Sequence, residues 1–162
     1  MSAAAGLREG VRKAYSAAAE DPAATHPFPV GRQFAESLGY PKEWLDSLPS
    51  IAVEAFAGVS AVAVFANIPA GAAVLDLGCG AGLDCLIAAR RTGPTGLVTG
   101  VDFSEAMLVR ARRARAEAGA ENVTFLQADA EELPLPDASV DVALVNGIFN
   151  LNPARQAIFH EL

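Results

Sequence analysis

A chain of 162 residues, 52% of them hydrophobic, is long enough to close one domain around a sizeable core. Its formal net charge of -7 excludes a protein that wraps nucleic acid, because that needs clustered Lys and Arg to neutralise phosphates. Two cysteines, Cys79 and Cys85, exclude a disulfide framework, and with no secretory signal at the start they fit a reducing cytoplasm.

Leu7 to Glu20 carries alanine, leucine and charge at helical spacing and predicts a helix that ends before Asp21-Pro22. Pro22, Pro27 and Pro29 then make an irregular connector. It holds His26, either a plain surface-loop residue or a base able to titrate near neutral pH. Short helices are predicted over Gln33–Leu38 and Lys42–Leu48, the second bounded by Pro41 and Pro49. Ile51 to Ile68, rich in alanine and valine, predicts one long buried helix. Glu54, Gly58, Ser60 and Asn67 argue against a membrane span there. Residues 1–69 thus read as a helical cap over an α/β core of residues 70–162, the two together forming one domain.

After Pro69-Ala70-Gly71, the stretch Val74-Leu75-Asp76-Leu77-Gly78-Cys79-Gly80-Ala81-Gly82 is an apolar strand running into a glycine-rich loop. Glycine lacks a Cβ and tolerates positive φ, so backbone there can approach a ligand closely. Charge narrows the ligand. A dinucleotide would set its pyrophosphate against the loop and the following helix N-terminus, and Asp76 would repel it. The glycine spacing also departs from the dinucleotide pattern, which wants its third glycine at Leu83. S-adenosylmethionine carries an ammonium and a sulfonium, both attracted by a carboxylate.

A helix over Asp84 to Arg91 follows, stopped by Thr92-Gly93-Pro94. Leu97 to Asp102 reads as a second strand whose terminal carboxylate could accept from ribose hydroxyls. Ser104 suits an N-cap and Gly119 a C-cap for the helix between them. Its Arg110, Arg112, Arg113 and Arg115 read as a solvated face beside Glu105 and Glu117. Val123 to Ala130 reads as a third strand, with Asp129 placed to accept from an adenine amino group. Val140 to Val145 reads as a fourth, leading to Asn146-Gly147, and Asn152 is expected to cap a final helix running to Leu162. Strands alternating with helices imply right-handed crossovers and a parallel, Rossmann-like sheet.

The segments VLDLGCGAG, GVDFS, ADAEELPLPDASVD and VNGIFNLNP, in that order, resemble class I S-adenosylmethionine-dependent methyltransferases over about Gly71 to Leu162. GCGAGLDC, VNGIFNLNP and Tyr15 resemble the arsenite methyltransferase group within that class. The resemblance implies that Asp76, Gly78, Cys79, Gly80 and Gly82 surround the methionine part of the cofactor and that Asp102 holds the ribose. It implies that Phe103 and Met107 flank the adenine and that Asp129 and Ala130 read its edge. It makes Cys85 a thiol able to bind trivalent arsenic. However, that group's N-terminal cysteine pair is replaced here by Ser16-Ala17-Ala18-Ala19, and Gly147 stands where it has another cysteine. Cys85 therefore reads more readily as a small buried hydrophobe, and no metal site is expected.

The implied activity is methyl transfer to a small-molecule acceptor, with Tyr15, His26 and Asn146 as candidate catalytic residues; Asn146, also a cofactor-binding candidate, and Asn150 either orient the methionine or acceptor end or satisfy strand-end backbone groups. His160 reads as solvent-facing. The family sheet begins in the order 3-2-1-4 and carries more strands after the fourth, whereas this sequence ends where the next should follow. The expectation is a truncated product with the apolar edge Val140–Val145 open to self-association. The alternative is a cofactor-binding module, catalytically incomplete until a partner chain finishes it. A nicotinamide oxidoreductase is a third possibility, disfavoured by Asp76.

Overall fold

The computed structural model describes residues 3–162. Five helices precede the first strand: α1 (Ala3–Glu20), α2 (Arg32–Ser37), α3 (Lys42–Asp46), α4 (Ser50–Val53) and α5 (Val62–Phe65). The core then alternates β1 (Ala73–Leu77), α6 (Leu83–Thr92), β2 (Leu97–Asp102), α7 (Glu105–Ala118), β3 (Val123–Gln127) and β4 (Val142–Val145). Two helices close the sequence, α8 (Ile148–Leu151) and α9 (Arg155–Glu161). None of the described helices is long and apolar enough to cross a membrane.

The four strands form one parallel sheet in the order β3-β2-β1-β4. Asp76 on β1 sits opposite Gly100 on β2 and Leu144 on β4, and Asp102 sits opposite Gln127 on β3. The chain steps outward in one direction through β2 and β3, then returns to the far side of β1. Such a reversal opens a crevice at the carboxyl ends of β1 and β4, where open α/β sheets bind ligands.

Alternation along the strands divides the core. Val74, Val98, Val123 and Leu144 face α6 and α7, whose Leu86, Ala88, Leu108 and Ala111 pack against them. Leu75, Leu77 and Val101 point the other way, where Ile158 of α9 and the β3–β4 connection cover them. Each fully buried Leu, Ile or Val adds roughly 1.5–3 kcal/mol by leaving water. The ends of α7 follow local chemistry: Ser104 Oγ accepts from the Met107 N–H at 3.4 Å, and Gly119 takes a left-handed φ of 61° as C-cap.

Several expected boundaries are corrected. The long helix over Ile51–Ile68 does not form. Instead α4 and α5 are separate four-residue helices, because the chain between them folds back so that the Val59 and Ser60 N–H groups reach Asn146 Oδ1 at 2.8 and 3.1 Å. The third strand stops at Gln127, so Asp129 and Ala130 lie past its end in a turn where the Glu132 N–H donates to the Asp129 carbonyl. β4 begins at Val142, its start fixed by the Asp141 carboxylate accepting from the Ala73 N–H at 2.8 Å. The terminal segment is two helices: Asn152 Oδ1 accepts from the Ala154 N–H in a turn between them, and Ala154 is the N-cap of α9.

Candidate cofactor cleft

The crevice is a cleft of about 1140 Å³, its open mouth included, lined by the glycine loop, the tips of β1, β2 and β4, the 129–131 turn, α1 and the segment Ala55–Gly58. Gly78, Gly80 and Gly82 all have positive φ, at 76°, 52° and 87°. At Gly78 the need for glycine is double, since a Cβ there would also lie 2.7 Å from the Ile148 side chain. The Gly78 and Cys79 N–H groups donate to the Val101 carbonyl at 2.7 and 3.0 Å, which ties the loop to the end of β2.

Asp102, buried at that end, is held from both sides. Its Oδ2 accepts from the Gly80 N–H and its Oδ1 from the Ser104 N–H, each at 2.8 Å. Burial nonetheless raises its proton affinity above the ordinary carboxylate range, the backbone donors opposing the shift. Asp76 is 1% exposed. Its Oδ2 accepts from the Cys85 thiol at 3.1 Å, and burial followed by the Asp84 charge pushes its pKa well up.

Sequence reasoning missed Asp84, in the first turn of α6. It too lines the cleft, and its raised proton affinity comes first from burial. The Tyr40 hydroxyl donates to its Oδ1 at 2.6 Å, and Asn146 Nδ2 donates to its Oδ2 at 2.9 Å. Asn146 Nδ2 also donates to the Ser60 carbonyl at 2.7 Å. With its oxygen taken by Val59 and Ser60, the Asn146 amide is committed to fastening the cap loop to β4. Asn146 also lines the cleft in which a role toward cofactor or acceptor was expected of it. Gly58 permits the approach, since a Cβ there would sit 2.5 Å from Asn146 Nδ2.

The other expected residues divide. Phe103, Met107, Asp129, Ala130 and Tyr15 all line the cleft. Tyr15 stacks on Phe28 at 4.6 Å between centroids and meets Phe103 edge-on at 6.4 Å. Burial, then the Asp102 charge, raises the Tyr15 pKa. His26 does not line the cleft: its Nε2 lies 2.8 Å from the Asp21 carbonyl and its ring stacks beyond Phe28. Cys79 lines the cleft with its thiol pushed up to about 11 by burial, whereas Cys85 is wholly buried beneath it and also pushed well up. Among the described residues no cluster suited to a metal ion occurs. Arg8 and Arg12 were also unforeseen. They lie on the same face of α1 as Tyr15, at i, i+4 and i+7, and pair with Glu131 and Asp129 at the cleft mouth.

The chain is similar to several known proteins. Arsenite methyltransferase of Halobacterium salinarum is 40% identical over 129 residues, which cover 78% of this chain and 32% of that protein. Demethylmenaquinone methyltransferase of Listeria monocytogenes is 38% identical over 93 residues, covering 57% of this chain and 39% of that protein. An arsenic(III) S-adenosylmethionine methyltransferase from Chlamydomonas reinhardtii has the same fold with a TM-score of 0.60 and 30% identity, covering 78% of this chain and 43% of that one. The chain thus spans between 32% and 39% of the length of these two curated relatives. The family defined by the methyltransferase domain matches residues 68–162, more than half of the sequence, and the chain belongs to it.

Proposed function

We propose that this chain binds S-adenosylmethionine in the cleft and supports methyl transfer to a small-molecule acceptor. The observation that carries this reading is the set of three buried carboxylates, Asp76, Asp84 and Asp102, facing one cleft beside a left-handed glycine loop. Groups whose burial raises their proton affinity gain most from a cationic ligand, and their ionised forms would repel a pyrophosphate. Asp102 is assigned to the ribose hydroxyls, and Asp76, Gly78, Cys79, Gly80 and Gly82 to the methionine part. Phe103 and Met107 are assigned to the adenine faces, Asp129 and Ala130 to its edge. Bound there, S-adenosylmethionine would supply a methyl group already activated on a sulfonium.

The protein's own work is alignment and exclusion of water. Phe56, Tyr15 and Ile148 supply apolar walls, and the Asn146 fastening holds the cap loop over them. Trivalent arsenic needs about three soft thiolates. Of the two thiols in these 162 residues, one is buried against Asp76 and the other is held protonated at neutral pH. A small organic acceptor, methylated at oxygen, nitrogen or carbon, fits these residues better.

Calorimetric titration with S-adenosylhomocysteine tests the cofactor assignment. Binding is expected, and Asp102→Ala, which strips the Gly80 and Ser104 N–H groups of their acceptor, should weaken it by about 1–3 kcal/mol. Binding of a nicotinamide dinucleotide instead would overturn the reading. One observation favours the second reading, an incomplete module: β4 is the outer strand of the described sheet, with Ala143 exposed. An unpaired edge of this kind accepts a further strand from a second copy or a partner. Release of S-adenosylhomocysteine with a panel of small acceptors would support the enzyme. Binding without release would support the module.

A further inference from the structure

We propose that Arg12 is a positioning residue for Asp129, and that with Arg8 it forms a charge latch holding α1 across the mouth of the cleft. This rests on the assignment of the cleft to S-adenosylmethionine, with Asp129 at the adenine edge.

The observation is an asymmetry along one helix. The carboxyl end of α1 is built into the body of the protein. Ala18 and Ala19 are buried, Arg110 of α7 donates to the Ala19 carbonyl at 2.9 Å, and Ser16 Oγ lies 3.2 Å from Ser104 Oγ. Nearer its amino end the same helix reaches the mouth and is fastened by charge. Arg8 bonds the Glu131 carboxylate, and Arg12 Nη2 donates to Asp129 Oδ1 at 3.2 Å. The Arg12 guanidinium also lies over the Phe103 ring, its carbon 5.3 Å from the centroid. One cation thus touches both the carboxylate and the aromatic ring assigned to the adenine.

Asp129 needs such a partner. It stands past the end of β3 with its side chain 63% exposed, so without Arg12 its carboxylate would spread over several rotamers. Arg12 takes Oδ1 and leaves Oδ2 to accept from an exocyclic amino group. The latch itself is weak by construction. Both ion pairs are partly exposed, and pairs of this kind contribute little and are screened by salt. A helix anchored firmly at one end and lightly at the other can open to exchange cofactor and product without unfolding.

The test follows dissociation of S-adenosylhomocysteine from the full chain by stopped-flow. In the unsubstituted protein the rate should rise with salt. In Arg8→Gln/Arg12→Gln it should be roughly three- to tenfold faster at low salt, with a flatter salt dependence. Arg12→Lys, which keeps the charge, should recover part of the difference. S-inosylhomocysteine, with a carbonyl in place of the adenine amino group, supplies the readout that loosening α1 alone would not move. Preference for the adenine ligand should shrink several-fold in Arg12→Gln. Unchanged dissociation in the double variant overturns the latch, and unchanged preference overturns the positioning role. No binding of S-adenosylhomocysteine by the unsubstituted chain overturns the cofactor assignment, and this proposal with it.

Discussion

On the sheet side of the cleft, Asp102 is gripped by N–H groups 22 and 2 residues away in sequence; on the cap side, Asn146 grips N–H groups 86 and 87 residues away. The first wall is made by one short stretch of backbone folding on itself, so its geometry is set by glycine conformations and strand ends. The second exists only once the cap has docked on β4, and it is held by side chains. The two walls should therefore fail differently when damaged. A change in the glycine loop should remove ligand binding and stability together. A change at the cap side should cost stability and leave most of the binding.

The largest effect is expected for Gly78→Val. A valine must adopt a φ of 76° and also displace Ile148 from its 2.7 Å approach. A left-handed non-glycine residue costs roughly 1–2 kcal/mol and overpacking a further 1–3. A loss of about 3 kcal/mol in urea unfolding is expected, with S-adenosylhomocysteine binding abolished. Normal binding in this variant would show that the loop backbone does not shape the sheet-side wall.

Asn146→Ala tests the other wall. It strands the Val59 and Ser60 N–H groups and removes a donor from Asp84. These groups are partly accessible to water, so the cost should be about 1–2 kcal/mol of stability. Affinity for S-adenosylhomocysteine should fall less than tenfold, and hydrogen exchange at Val59 and Ser60 should accelerate. Abolished binding in a folded Asn146→Ala protein would erase the distinction between the walls.

The same contrast decides what could be read from the sequence. Leu97–Asp102 was legible to its bounds, and so were the Ser104 and Gly119 caps, because each signal acts within a few residues. The order of the strands followed from the family resemblance, and the clustering of Asp76 and Asp102 from both ending parallel strands. The split of Ile51–Ile68 into α4 and α5 was illegible, since the acceptor that draws the Val59 and Ser60 N–H groups away is Asn146. Asp84 looked like an ordinary acidic residue of a first helical turn until Tyr40, 44 residues earlier, reached it. Arg8 and Arg12 went unread because their partners Glu131 and Asp129 lie more than 110 residues away, at 123 and 117.

Protonation gives the smallest effect and bears on both walls, since Asp102 belongs to one, Asp84 to the other, and Asp76 lies between. Burial raises all three above the ordinary carboxylate value, and the Asp84 charge adds to Asp76. A group whose native pKa is raised holds its proton in the folded state after the unfolded chain has released it. Stability from these groups is therefore greatest at or below the unfolded value of about 3.9, and declines as pH rises from there through the raised native values. A cationic ligand reverses the burden by favouring the ionised carboxylates, so its binding should release protons. Titration with S-adenosylmethionine at about pH 6, in two buffers of different ionisation enthalpy, should give release of a fraction of a proton. S-adenosylhomocysteine, lacking the sulfonium charge, should give less. The increase in melting temperature produced by S-adenosylmethionine should correspondingly grow with pH while that from S-adenosylhomocysteine stays flatter. Equal proton release by the two ligands would mean that the sulfonium lies away from the buried carboxylates, and that the two walls do not share one electrostatic task.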